Sequence, residues 1–325
     1  MRRRDFIAGL CGAATAWSIA ARAQQRIPVI GYLGMQTPES NFTATSAFKQ
    51  GLNESGFVEG KNVAIESRFA SGQFDRLPAL AADLVRQQVD VILAPGLPPA
   101  VAAKAATTTI PIVFTMGEDP IKEGIVPSFN RPGGNVTGFT SFSNQLIAKR
   151  LELLHQTVPK ATVIGFLVNP INPNADPDTA DARTAALAHG LSLRVLGAAS
   201  ERDFERVFAA IAQEKIGALL VGVEPFFWAR RQELVALATR NSVPAAYDRN
   251  IFPAVGGLMS YGTSTSEGDR QVGLYLGRVL KGARPADLPV VQSTKFEFVI
   301  NLKTAKALGL TIPETLSATA DEVIQ

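Results

Sequence analysis

Apolar runs and helical stripes follow one another with little interruption from position 27 onward. The run 28–34 (Pro-Val-Ile-Gly-Tyr-Leu-Gly) is of the kind buried on both faces of a parallel sheet. Ala44, Ala47, Phe48, Gly51 and Leu52 then recur at i, i+3, i+4, i+7 and i+8, the stripe of an amphipathic helix. Val63, Ile65, Ser67 and Phe69 alternate with polar neighbours, which predicts a strand near a sheet edge. Leu77, Leu80, Ala81 and Leu84 mark the next helix, and 89–94, 99–106 and 110–115 continue as strand, helix, strand.

After the turn cluster 131–135 (Arg-Pro-Gly-Gly-Asn) the same plan starts again. Strands are predicted over 136–142, 163–168, 191–196, 218–223 and 243–247. Between them lie helices carrying Ile147, Leu151, Leu154 and Val158, then 179–189, then Phe204, Val207, Phe208 and Ile211, then 230–239. The tail adds a strand at 257–261, a helix through Val272, Tyr275, Leu276 and Val279, a proline-rich stretch at 283–291, a strand through Phe296, Phe298 and Ile300, and a helix at 303–308. Strands and helices alternating at this length predict right-handed crossovers and doubly wound parallel sheets. A chain of 325 residues exceeds the size at which one core keeps growing, so the expectation is α/β with two lobes. Strands exchanged between the lobes would fit the tail, but periodicity does not say which sheet takes which strand.

The first 23 residues follow another rule. Arg2, Arg3 and Arg4 lead into a weakly apolar run at 8–20 that ends in Ala21-Arg22-Ala23. A charged head, an apolar middle and a small-x-small site make a secretory signal, here cut near Ala23 and Gln24. The paired arginines ahead of Phe6 resemble a twin-arginine signal, with the general secretory route left open. The run is too short and too rich in Ala and Gly to span a bilayer. The expectation is therefore a periplasmic protein. Cys11, the only cysteine, lies inside this leader, which leaves the remainder without disulfide, Cys-ligated metal or Cys nucleophile. The leader also holds Arg2, Arg3, Arg4 and Arg22 against Asp5, so the 32 basic and 29 acidic residues of the whole chain become 28 of each beyond it. A balanced charge offers nothing to nucleic acid or to an anionic membrane.

Ligands of open α/β sheets bind beyond the carboxyl ends of the strands. Those ends fall at 35–38 (Met-Gln-Thr-Pro), 95–98 (Pro-Gly-Leu-Pro), 116–120 (Met-Gly-Glu-Asp-Pro), 169–173 (Asn-Pro-Ile-Asn-Pro), 224–227 (Glu-Pro-Phe-Phe) and 247–249 (Tyr-Asp-Arg). Asp119, Asn169 and Glu224 each stand directly before a proline. Proline suits a first helical turn and leaves the preceding side chain aimed across the strand ends. Starting a helix is the plainer role for the same residues. Phe226, Phe227, Trp228, Tyr247 and Tyr261 are candidates to wall a pocket for a flat or apolar molecule, with Asp119 or Glu224 holding an ammonium group. Helix-to-sheet packing is the alternative for Phe227 and Trp228. The two histidines, His155 and His189, fall near helix ends and read as surface or capping residues. There is no Gly-x-Ser-x-Gly elbow, Walker-type loop or His-Glu-x-x-His pair, so no catalytic residue, metal or cofactor is expected.

Several blocks resemble one group of ABC transporter substrate-binding proteins, the group related to the tryptophan and tyrosine uptake binding proteins. They are 110–115 (Ile-Pro-Ile-Val-Phe-Thr), 130–138 (Asn-Arg-Pro-Gly-Gly-Asn-Val-Thr-Gly), 256–262 (Gly-Gly-Leu-Met-Ser-Tyr-Gly) and, most specific, 294–310 (Thr-Lys-Phe-Glu-Phe-Val-Ile-Asn-Leu-Lys-Thr-Ala-Lys-Ala-Leu-Gly-Leu). The resemblance implies a type I periplasmic-binding fold. Its N-terminal lobe would be 27–141 plus 256–285, its C-terminal lobe 142–255 plus 286–325, and its hinges would lie near 139–143, 252–256 and 283–294. Carried over by position, it implies ligand contacts from Met35, Gln36, Gly96, Leu97, Met116, Asp119, Asn169, Asn172, Glu224, Phe226, Tyr247 and Tyr261. Glu224 stands where the pattern carries an aspartate, and 249–252 (Arg-Asn-Ile-Phe) departs from an Arg-Glu-Phe pattern, so ligand identity does not carry over. The implied partners are a small molecule (an amino acid or an aromatic or organic acid) and ABC permease subunits of the inner membrane with a separate ATPase, the protein itself a monomer. A ligand-sensing protein for a membrane receptor and a secreted carboxylate-based enzyme are the competing readings.

Overall fold

The structure, a computed structural model, describes residues 26–35, 37–38 and 46–325. The expected export signal at 1–23, together with Gln36 and Ala44, lies outside these residues. β1 (Val29–Gly34) buries Ile30, Tyr32 and Leu33 completely, as a strand covered on both faces must. α1 (Ser46–Glu54) turns Phe48, Gly51 and Leu52 inward. β2 (Ala64–Phe69) is only half-buried because it lies at a sheet edge. α2 (Leu77–Arg86), β3 (Val91–Pro95), α3 (Leu97–Ala106), β4 (Ile112–Met116) and β5 (Val136–Thr140) complete the first series.

The second series runs α4 (Ile147–Thr157), β6 (Val163–Val168), α5 (Ala175–Ala188), β7 (Ser192–Gly197), α6 (Arg202–Gln213), β8 (Ala218–Val221), α7 (Pro225–Ala229), α8 (Arg231–Arg240), β9 (Ala245–Tyr247) and β10 (Met259–Thr263). The tail is α9 (Thr265–Leu280), β11 (Val291–Gln292), β12 (Phe296–Asn301), α10 (Leu302–Ala307), α11 (Glu314–Ala318) and β13 (Glu322–Ile324).

Among the described residues two sheets form, one of six strands in the order β11-β5-β4-β3-β1-β2 and one of seven in the order β13-β12-β10-β9-β8-β6-β7. Pairing is parallel throughout except between β10 and β12, where Met259 lies opposite Ile300 and Thr263 opposite Phe296. Each sheet is covered on both faces. Leu84, Ile92 and Phe114 pack on one side of the first, and Phe48, Val113 and Leu276 on the other. Leu154, Phe166 and Met259, then Phe204, Leu219 and Tyr247, do the same for the second. No helix among the described residues is long and apolar enough to cross a membrane.

The sheets divide the tail differently from the expected lobe boundaries. β10, expected with the first lobe, is hydrogen-bonded between β9 and β12 in the second sheet. β11, expected with the second lobe, pairs Val291 with Phe139 in the first. The first lobe is thus 26–141 plus 264–293, and the second 142–263 plus 294–325. The chain crosses between them after β5, between β10 and α9, and between β11 and β12. The stretch 252–256, expected as a hinge, is held inside the second lobe. Asn301 donates to the Pro253 carbonyl at 3.3 Å and Thr304 to the Gly256 carbonyl at 2.8 Å. The alternation along β10 reads the same in either sheet, so only the pairing itself assigns it.

Candidate ligand-binding cleft

The carboxyl ends of the two sheets face each other across a cleft of about 630 Å³, lined from both lobes and from the crossovers between them. That size lies in the range of roughly 300–1,000 Å³ usual for small-molecule sites.

On the first-lobe side, Gly96 turns the chain from β3 into α3 with a φ of 95°, a conformation side chains resist. Its N–H donates to the Thr115 carbonyl at 2.6 Å, which ties this turn to the end of β4. One residue past β4, Gly117 lies against the first crossover. A Cβ there would come within 2.3 Å of Ser143 Oγ and 2.5 Å of Asn144 Oδ1.

Glu118 follows, and it joins the lobes. One carboxylate oxygen accepts the Gly117 N–H at 3.0 Å and the other accepts from Asn174 Nδ2 at the start of α5. Burial pushes this carboxyl up to about 7, and the negative charges of Asp178 and Glu123 add to the rise. Asp178 is itself raised to about 6 by burial, against the pull of a 2.8 Å hydrogen bond from Asn144 Nδ2. Beneath the crossover the fully buried Arg150 donates to the Ser143 carbonyl at 2.9 Å. Burial lowers its affinity for its proton, while Asp248 and Asp178 oppose that effect.

On the second-lobe side, Glu224 caps α7. It accepts the Phe226 N–H at 3.0 Å and Asn172 Nδ2 at 2.6 Å, and burial raises its carboxyl above the usual range. Trp228, one turn on, donates its indole N–H to both oxygens of the buried Asp248 at 3.1 Å. The Arg249 guanidinium lies over the same indole, 3.7 Å from the ring centroid, with its Nε 3.5 Å from Asp248. Carboxylate, indole and guanidinium lock one another into a flat wall.

Of the residues expected at the site, Met35, Gly96, Leu97, Met116, Asn172 and Glu224 line this cleft. Gln36 lies outside the described residues. The others fall elsewhere, each for a local reason. Asp119 closes a turn by accepting the N–H groups of Ile121 at 2.9 Å and Lys122 at 3.4 Å. Asn169 is buried behind Glu224, accepts the Ile171 N–H at 3.2 Å and helps hold Glu224 ionised. Phe226 stacks on Phe204 with centroids 5.5 Å apart, in the core between helices and sheet. Tyr247 is buried against Phe252 at 4.3 Å, and its hydroxyl loses acidity there. Tyr261 packs among Phe296 and Phe298 on the far face of the second sheet.

Asn174 and Asp269 line the cleft without having been expected there, and Glu118 and Arg249 line it from strand ends named in the sequence though not among the expected contacts. Glu118 had a readable signal. It is two residues beyond Met116 and so continues the same face of β4. Asp269 is on α9, and its place became visible only once α9 was known to begin at a crossover.

Two doubly wound parallel-sheet lobes, joined by three crossovers and closing on one cleft, define a type I periplasmic-binding-protein fold. The family model for ABC transporter substrate binding proteins matches residues 37–324, and the chain belongs to that family. A tyrosine-binding protein of Clostridioides difficile (strain R20291) is 27% identical over 267 residues, which is 82% of this chain and 76% of that one. Among solved structures, a conserved domain protein from Vibrio cholerae O1 biovar El Tor superposes with a TM-score of 0.81 at 26% identity, covering 92% of this chain and 100% of that one. An ABC domain from Streptococcus pneumoniae in complex with L-Trp superposes with a TM-score of 0.79 at 26% identity, covering 91% and 99%.

Proposed function

We propose that this protein is the solute-binding component of an ABC uptake system. It works in the periplasm after export as a monomer, captures one small molecule between its lobes and presents it to a membrane permease driven by a separate ATPase. An amino acid or an aromatic or organic acid is the ligand class that the cleft and the relatives support. The observation that carries this reading is the cleft itself, which takes its walls from both lobes and is bridged by the Glu118–Asn174 hydrogen bond. A ligand touching both walls favours the closed arrangement by its differential affinity, and that arrangement is what a permease can recognise.

A carboxyl near 7 in a cleft is also what an acid–base catalyst requires. In Glu118, however, both oxygens are engaged, one by its neighbour's N–H and one by the opposite lobe. That is the geometry of a clasp. The test is a thermal-shift screen of amino acids and aromatic acids on the purified protein. A true ligand at about a hundred times its dissociation constant adds about 2.7 kcal/mol. Recovery of that ligand unchanged after long incubation separates capture from turnover, and a screen without any stabilising compound overturns the reading.

A further inference from the structure

The cleft holds an unbalanced set of charges. Of the arginines lining it, Arg230 is paired with Glu201 and Arg249 with Asp248. Arg231 also lines it, at the start of α8, and forms no salt bridge among the described residues. Among the described residues its side chain makes one hydrogen bond, from Nη1 to the Trp228 carbonyl at 3.0 Å. A guanidinium carries five N–H donors in a fixed fork that matches a carboxylate, so most of this group's capacity is left for a ligand.

Two acids of the cleft, Glu118 and Glu224, are in the opposite condition, and the third, Asp269, has a partner of its own. Both oxygens of Glu224 already accept hydrogen bonds, from Phe226 N–H and Asn172 Nδ2. Both oxygens of Glu118 do so as well, from Gly117 N–H and Asn174 Nδ2. Burial also moves the two carboxyls toward their neutral forms, Glu118 to about 7. A ligand ammonium would meet acids that are already engaged, Glu118 and Glu224 among them moved toward neutrality, whereas a ligand carboxylate would meet less repulsion from those two and an arginine without an ion-pair partner among the described residues. The body of the ligand has a place too. Trp228 with Arg249 over its ring forms a flat wall, and Met35, Leu97, Met116 and Phe139 supply apolar surface around it.

We infer that the protein selects carboxylic acids that carry a flat ring, that Arg231 is the residue that anchors the ligand carboxylate, and that an α-ammonium group on the ligand is dispensable. This rests on the solute-binding reading and narrows its substrate class. Two consequences follow from the charges alone. Affinity falls with ionic strength, because the anchoring pair reaches the solvent side of the cleft. An arylalkyl amine of similar size, protonated at neutral pH, binds worse than the acid, because it meets Arg231 as a like charge.

The test uses four probes of one skeleton in titration calorimetry near neutral pH: 3-phenylpropionate, L-phenylalanine, phenethylamine and 3-phenylpropanol. The expected order places 3-phenylpropionate at least level with L-phenylalanine, with the amine and the alcohol weaker by about tenfold or more. Arg231→Gln weakens 3-phenylpropionate by about tenfold or more while leaving the melting temperature unchanged, and Arg231→Lys falls between the two. The inference is overturned if the amine or the alcohol matches the acid, if L-phenylalanine binds and the acid does not, or if Arg231→Gln leaves the acid's affinity intact. In each of those cases the solute-binding reading stands. If none of the probes binds, the thermal-shift screen, widened to amines and neutral compounds, decides the remainder: a stabilising compound without a carboxylate sinks this inference alone, and no stabilising compound at all sinks both.

Discussion

Glu118 shows how much one side chain determines here. Its carboxyl is raised from 4.5 to about 7, chiefly by burial, so the folded protein holds this proton more tightly than the unfolded chain does. The stability it lends is complete below 4.5 and is lost as the pH rises through about 7. Asp178, raised from 3.8 to about 6 by burial, adds to the same decline over its lower half. Half-buried Asp203 acts in the opposite sense and in another window. Hydrogen bonds from Ser200 and Arg206 lower it from 3.8 to about 2, so its contribution is present above 3.8 and disappears as the pH falls through about 2. The wild-type protein should therefore melt several degrees lower at pH 8 than at pH 5. Glu118→Gln keeps an oxygen for the Gly117 N–H and cannot ionise, so it should flatten part of that slope and gain about 2 kcal/mol at pH 8. Calorimetric melts across that range check this, and parallel slopes for the two proteins would remove Glu118 from the account.

Between elements, the most extensive contact is the packing of α1 on α9. A Cβ on Gly51 would fall 2.0 Å from the Arg270 carbonyl oxygen, and one on Gly273 would fall 2.5 Å from that of Phe48. Both obstacles are backbone, which cannot swing aside. Gly51→Val should force the helices apart and cost about 1–3 kcal/mol or more, read as a lower urea midpoint with the slope unchanged. A variant with the wild-type midpoint would mean that α9 docks elsewhere. The stripe through Phe48, Gly51 and Leu52 could be read from the sequence because a buried helix face repeats every three or four residues. The alternation of β2 could be read because an edge strand keeps one wet face. Sheet membership in the tail was not legible. β10 and β11 are decided by which ladder completes their hydrogen bonds, and partners such as Ile300 and Phe139 are distant in sequence. Residue alternation carries no record of that choice.

Over the whole molecule, the same limit explains what was legible in the candidate site. Strand ends were visible as apolar runs stopping at Gly or Pro, and that was enough for Met35, Gly96, Leu97, Met116, Asn172 and Glu224. Which way a side chain leaves a turn was not visible. Asp119 turned back onto its own loop while its neighbour Glu118 reached the other lobe. The Glu118–Asn174 bond spans the lobes and belongs to neither core, so it bears on how often the lobes are together rather than on whether they fold. Asn174→Ala should shift the ligand-free population toward the open form without changing the melting of either lobe. The radius of gyration from X-ray scattering should rise. Affinity for 3-phenylpropionate should fall about threefold to tenfold, because only the closed fraction binds tightly and the apparent dissociation constant scales inversely with it. Pairing this change with Glu118→Ala should add little further loss, since both remove the same bond. Fully additive losses, or scattering that does not move, would place the closing force elsewhere in the cleft.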